Sequence, residues 1–243
     1  MKYAAMMLAL AGAAACTPAA RTAPAPVASR VVEQPGALRW MRRSAEYRAL
    51  TRQTYAGAAR RLDELAPAVA AGSWGVILDA DETVLDNSAY ERRRALLDSG
   101  YTDASWAAWV KEEAAGAVPG APGFTAHVRA LGGRVVIVTN RADSLCAETR
   151  ANLRSAGITA DVVLCQPPGE SDKNPRFARV ERGTAGAGVP PLMILEWVGD
   201  NIQDFPRLTQ AMRGDSSAFT PFGRTFWVLP NPVYGSWEKN TAP

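Results

Sequence analysis

Two aspartates, Asp79 and Asp81, close the apolar run Val76-Ile77-Leu78, with the small residue Ala80 between them and Glu82-Thr83 behind. Carboxylates this close repel each other, so in a partly dry cleft they need a cation or a shared proton. A hard divalent ion with oxygen ligands meets that need. One carboxylate of such a pair can attack an electrophile while the other handles protons. The same spacing also occurs in plain solvated turns, and company further along the chain separates the two readings. Val138-Thr139-Asn140-Arg141 ends a second apolar run on a hydroxyl and an amide. Lys173 is the only lysine between that run and a third polar cluster. That cluster, Gly199-Asp200-Asn201-Ile202-Gln203-Asp204-Phe205, adds two more carboxylates.

Groups so scattered along the chain must be brought together by a scaffold. A β-branched and leucine run after Trp74-Gly75 predicts a buried strand with the aspartates at its carboxyl end, where open α/β sheets bind ligands. Further strands are predicted at Arg134 to Thr139, Asp161 to Cys165, Leu192 to Val198 and Thr225 to Leu229. Helical stretches fall between them: one capped by Asp143 or Ser144 and ended by Gly157, one after Lys173 and one after Asp204. Strands alternating with helices imply a parallel sheet covered on both faces. The expected fold is α/β, a Rossmann-like three-layer sandwich. Ahead of the first strand, Trp40, Ser44, Tyr47, Thr51, Thr54, Ala58, Leu62 and Leu65 recur by threes and fours, which predicts one long amphipathic helix from Trp40 to Leu65. The segment at about 84–133 is too long for a simple crossover. It carries its own helical pattern from Asp103 to Ala114, with Trp106, Trp109 and Val110, so a small helical cap is expected over the catalytic end.

The first residues have the make-up of an export signal, with Lys2 ahead of an apolar stretch and Ala13-Ala14-Ala15-Cys16 after it. Residues 1–15 are read as the signal. Cys16 is the expected site of lipidation, making the protein an outer-membrane lipoprotein; cleavage after Ala15 with release of a soluble periplasmic or secreted protein is the alternative. Residues 16–36, rich in Pro and Ala, form an expected tether, and 37–243 the folded domain. A net charge of +3 with no dominant basic block argues against a nucleic-acid polymer as partner. Cys146 and Cys165 could pair in an oxidising exterior or stay as buried thiols, and spacing does not decide between them. No Cys/His cluster suits zinc. His127, the sole histidine, lies in a helical stretch without an Arg-His-Gly motif, and no Cys-x5-Arg signature is present, which excludes phosphohistidine and thiolate chemistries.

In their order and context, these segments resemble the four motifs of the haloacid dehalogenase superfamily. Residues 77–90 and 198–205 are similar, more narrowly, to its class C acid phosphatases, the bacterial surface acid phosphatase lipoproteins; the likeness runs from about Trp40 to Trp237. Members usually carry Ile or Leu where this chain has Ala80. The resemblance implies magnesium-dependent hydrolysis of phosphate monoesters, with Asp79 as nucleophile and Asp81 as acid, then base. The metal would be held by Asp79, Asp200 and the backbone carbonyl of Asp81, with Asp204 behind them. Lys173, Thr139 and Asn140 would face the phosphoryl oxygens, and Thr83 would brace the loop. Trp106 and Tyr234, the latter in Asn231-Pro232-Val233-Tyr234-Gly235-Ser236-Trp237, would flank the leaving group, since a π-face stacks on any base or aryl ring. Nucleoside monophosphates, nicotinamide mononucleotide and aryl phosphates are the implied substrates. A phosphotransferase or dehalogenase of the superfamily and a non-catalytic phosphate-binding lipoprotein are the alternatives, and a homodimer stays open.

Overall fold

The computed structural model describes residues 35–240. The expected signal, Cys16 and all but the end of the tether at 16–36 therefore lie outside the described residues. Helix α1 (Gly36–Arg43) and helix α2 (Ala45–Leu65) meet at Ser44, which is extended and whose hydroxyl accepts from the Tyr47 amide at 3.0 Å. The single helix expected from Trp40 to Leu65 is thus two. A serine satisfies an orphan amide better as a cap than it fits a helix interior, and the chain bends there. On α2 the stripe holds: Tyr47, Thr51, Tyr55, Ala58 and Leu62 are buried.

The elements that follow are β1 (Trp74–Leu78), β2 (Leu85–Asp86), α3 (Ser88–Leu96), α4 (Asp103–Glu112), β3 (Gly116–Ala117), α5 (Ala121–Ala130), β4 (Arg134–Ala142), α6 (Cys146–Ser155), β5 (Val162–Gln166), α7 (Asn174–Glu181), β6 (Met193–Gly199) and β7 (Phe226–Val228). The main sheet has the order β5-β4-β1-β6-β7, with every pairing parallel. Its strands alternate sides. Val76, Leu78, Val135 and Ile137 meet Tyr55, Leu62, Phe124 and Leu153 from α2, α5 and α6. Ile77, Val136 and Val138 meet Phe177 and Val180 from α7. Each such fully buried aliphatic side chain contributes about 1.5–3 kcal/mol. The architecture is the α/β sandwich that the alternation of strands and helices predicts.

β2 and β3 pair antiparallel as a short ribbon, and α3 and α4 lie between them in the chain. α4 opens on a capping box in which Thr102 and Ser105 satisfy each other's amides. Two expectations fail. Among the described residues after Asp204 there is no α-helix, only 3-10 turns at Gln210–Gly214, Ser216–Phe219 and Ser236–Lys239. Pro206 drives Phe205 into extended backbone and Arg207 follows at φ 61°, so a helix cannot propagate. Nor do Asp143 and Ser144 cap α6; they belong to a 3-10 turn, and the helix begins at Cys146 without a side-chain cap. Cys146 is joined to Cys165 of β5, with Cα atoms 5.9 Å apart, so the two thiols pair. No helix among the described residues is long and apolar enough to cross a membrane.

Candidate active site

At the carboxyl end of β1 the chain folds back on itself. The amides of Val84 and Leu85 both donate to the Ala80 carbonyl, at 2.9 and 2.8 Å, and Glu82 sits between them in the left-handed region at φ 52°. The turn pulls the Glu82 side chain inward, where it accepts from the Asn87 amide at 2.8 Å and from the Tyr234 hydroxyl. Burial, then the nearby Asp81 and Asp200, hold its carboxyl well above the usual range. From α2, the buried Tyr55 hydroxyl donates to the Thr83 carbonyl at 2.7 Å, bracing the loop from below.

The loop places Asp79 beside two residues from the end of β6, so that carboxylate oxygens of Asp79, Asp200 and Asp204 all lie within 4.8 Å of one another. Lys173, buried just before α7, donates to Asp79 at 2.5 Å and to Asp204 at 2.7 Å. Burial alone would lower its pKa, but Asp204 and Asp79 more than offset that and keep it charged. Asp79 is pushed up to about 7, chiefly by burial, with Lys173 opposing and Asp204 and Asp81 adding. Burial, with Asp204 and Asp79, also raises Asp200 well above the usual carboxylate range. When ionised, three carboxylates against one ammonium leave two negative charges uncompensated in a set of oxygen donors. That balance fits a divalent cation. The Asp79 oxygen not engaged by Lys173 is free to face a cation or a phosphorus. Asp200 accepts from Thr83 at 3.0 Å and from Asn231 at 2.9 Å, while both Asp204 oxygens are taken by N–H donors, Lys173 and the Asn201 amide at 2.8 Å. Asp204 can fold back this far only because residue 199 is Gly; a Cβ there would lie 2.3 Å from the Asp204 Cβ.

Asp81 points the other way. Arg141, fully buried on β4, donates to it from Nε at 2.9 Å and Nη2 at 2.7 Å, and Asn87 adds a third bond at 2.8 Å. Neither Arg141 nor Asn87 stands out in sequence as more than part of a motif string, because the bond that defines each crosses long or turn-hidden separations. Thr139 is buried, and its hydroxyl accepts from the Arg141 amide at 3.1 Å; Asn140 is on the cavity wall. Arg176, three residues after Lys173, lies behind the site. It donates to the Thr139 carbonyl and to the Asn140 side chain, each at 2.5 Å.

A cavity of about 570 Å³ opens over these groups, bounded by Asp79, Asp81, Lys173, Asp200 and Asp204 on one side and by Trp106, Tyr101, Val233 and Tyr234 on the other. Glu91, Asn201, Gln203 and Glu238 complete the wall. Trp106 and Tyr234 therefore share one cavity with the carboxylates, whereas Trp109 is buried within the cap. Asn231 holds its own turn, accepting from the Val233 amide at 3.0 Å, and also reaches Asp200. Tyr101 and Glu91 were not anticipated; a lone exposed tyrosine and a glutamate inside a helix carry no sequence signal.

The model of the haloacid dehalogenase superfamily, subfamily IIIB (acid phosphatase), matches residues 3–237. The chain belongs to this family. Two structures of the class C acid phosphatase from Bacillus anthracis, one a crystal structure with tungstate bound, are similar to this subfamily IIIB chain at 29% identity, over 83% of this chain and 85% of theirs, with a TM-score of 0.73. Subfamily IIIB membership makes the protein a phosphoric monoester hydrolase. Enzymes of this superfamily use a divalent metal, and the acidic cluster of Asp79, Asp200 and Asp204 could hold one.

Proposed function

We propose that the enzyme hydrolyses phosphate monoesters with magnesium through an aspartyl-phosphate on Asp79, and that its substrates carry a flat ring: nucleoside 5′-monophosphates, nicotinamide mononucleotide and aryl phosphates. The observation that carries this reading is the juxtaposition of Asp79, in a cluster with excess negative charge, and two aromatic walls, Trp106 and Tyr234, in one cavity. That tungstate, a tetrahedral oxyanion, is bound by the Bacillus anthracis enzyme supports it.

An Asp79 oxygen bonds to phosphorus as the ester P–O bond breaks, and Asp81 gives its proton to the departing oxygen. Water then passes a proton to Asp81 while its oxygen bonds to phosphorus and the Asp79–phosphorus bond breaks, freeing phosphate. Lys173 and Asn140 lie where they would balance charge spread over the phosphoryl oxygens. Asp79, Asp200 and the Asp81 carbonyl would hold magnesium, with Thr83 and Asn231 orienting Asp200; the ion supplies positive charge at those oxygens. The same reading puts the enzyme outside the cytoplasm, anchored by lipid on Cys16, which the apolar run before that cysteine supports. A bridge such as Cys146–Cys165 persists in an oxidising compartment.

Turnover of p-nitrophenyl phosphate, measured with magnesium and after chelation, tests the assignment alongside Asp79→Asn. Expected are activity only with the ion and a loss in Asp79→Asn of at least a thousandfold with the melting temperature little changed. Activity that survives the substitution removes Asp79 as nucleophile.

A further inference from the structure

Asp81 has one crowded oxygen and one open one. Oδ1 receives Arg141 Nη2 at 2.7 Å, Asn87 Nδ2 at 2.8 Å and Arg141 Nε at 2.9 Å, whereas Oδ2 has only the longer side of the same Nε, at 3.2 Å. Three donors saturate Oδ1, so Oδ2 is the oxygen with room to exchange a proton with a ligand in the cavity. What fixes this arrangement is the orientation of the Asn87 amide. Asn87 is fully buried, and its Oδ1 accepts from Trp109 Nε1 at 2.8 Å and from Arg141 Nη2 at 3.1 Å. Turning the amide over would set its NH₂ against two donors, so these two N–H groups hold Nδ2 toward Asp81.

Trp109 belongs to the cap. It lies on α4, is 2% exposed, and is held by Tyr90 at 6.2 Å between ring centroids and by the Arg93 guanidinium 5.0 Å from its ring. Trp106, three residues earlier on the same helix, walls the cavity and lies 5.5 Å under the Arg141 guanidinium. One short helix thus touches the space for the leaving group through Trp106 and the Asp81 carboxylate through Trp109 and Asn87.

We propose that Trp109 and Asn87 are positioning residues that aim the open oxygen of Asp81 at the leaving group. Neither touches phosphate or leaving group; Trp109 acts through Asn87, and Asn87 through Asp81. The inference rests on the assignment of Asp81 as the acid. It predicts that loosening the chain Trp109–Asn87–Asp81 slows esters that need a proton on the departing oxygen more than esters that do not, since misplacing a reacting group by about 1 Å costs up to about a hundredfold.

Phenyl phosphate and p-nitrophenyl phosphate test this, because they share a ring and differ in how readily the phenolate leaves unprotonated. kcat/KM, which reports steps through formation of the phosphoenzyme, is measured for both esters in the unaltered enzyme, Trp109→Phe, Asn87→Ala and Asp81→Asn. The expected result is that Trp109→Phe and Asn87→Ala lose about tenfold more on phenyl phosphate than on p-nitrophenyl phosphate. Equal losses on the two esters would mean that the residues only hold the cap together, and would overturn the inference. Asn87→Ala, which keeps every side chain of α4, carries the test if Trp109→Phe fails to fold. Asp81→Asn separates the two levels. If it slows both esters alike, the role of Asp81 falls and the inference with it; if it discriminates and the other two do not, the inference alone falls.

Discussion

Asp200 and Asp204 come from one turn yet meet different partners. Asp204 is buried with both oxygens held by N–H donors, and Asp200 reaches the cavity with its oxygens steadied by Thr83 and Asn231. This turn exists because Gly199 leaves room for Asp204 to lie over it. Gly199→Ala is therefore expected to push Asp204 out, release Lys173 and lower both magnesium affinity and turnover, with a stability loss of about 1–3 kcal/mol. Metal titration and urea unfolding check the two parts. Tyr234 donates to Glu82 and also walls the cavity. Tyr234→Ala should raise KM for a nucleoside monophosphate about tenfold more than for an alkyl phosphate, since a lost stacking partner is worth about 1–3 kcal/mol; steady-state kinetics on both esters decide it. Asp79, Asp81 and Asp200 are legible in the sequence because a polar residue at the end of an apolar run needs a reason, and Lys173 because it is the only lysine between Asn140 and Asp200. Arg141, Asn87 and Glu82 are not, because their roles are set by partners such as Asp81 and Tyr234, brought to them only by the fold.

Among the elements, the strands are readable because each is a short apolar run between turn residues, and the alternating faces of β1 and β4 follow from the pleat. The errors fall where a local signal outweighs periodicity. Ser44 breaks the amphipathic stripe by capping α2, and Pro206 with Arg207 stops a helix that the apolar spacing after Asp204 allows. The short ribbon of β2 and β3 had no signal, being two residues on each side. The bridge from Cys146 to Cys165 is also an element-scale feature, since it fastens the start of α6 to β5 across a separation of 19 residues. Opening a loop of that size is expected to cost about 3 kcal/mol. Comparing urea midpoints with and without a reducing agent, or with Cys146→Ser, measures the loss; an unchanged midpoint would show the bridge is not formed.

At the scale of the whole molecule, one buried carboxyl away from the cavity adds to the response to pH. Glu196 lies fully buried on β6, beside a register shift that leaves Leu195 unpaired opposite Gly75 and Val76. Burial pushes its carboxyl up to about 9, with Trp227 and Arg61 opposing. The folded chain then keeps a proton that the unfolded chain has given up, so stability falls as pH rises from about 4.5 to about 9. Glu196→Gln, a neutral isostere, should flatten that decline. Melting temperatures across this range at saturating magnesium test it, and parallel slopes for the two proteins would assign the pH response elsewhere.

Trp106 and Trp109 sit within one turn of the same cap helix, one on the wall of the cavity and the other bonded to the side chain that holds Asp81. On the roles proposed for these two residues, a shift of that helix would alter both the range of compounds accepted and how quickly they are cleaved. Descendants of this enzyme that acquire a new preference should pass through slower intermediates, and regain speed by changes near Asn87 rather than by further remodelling of the cavity wall.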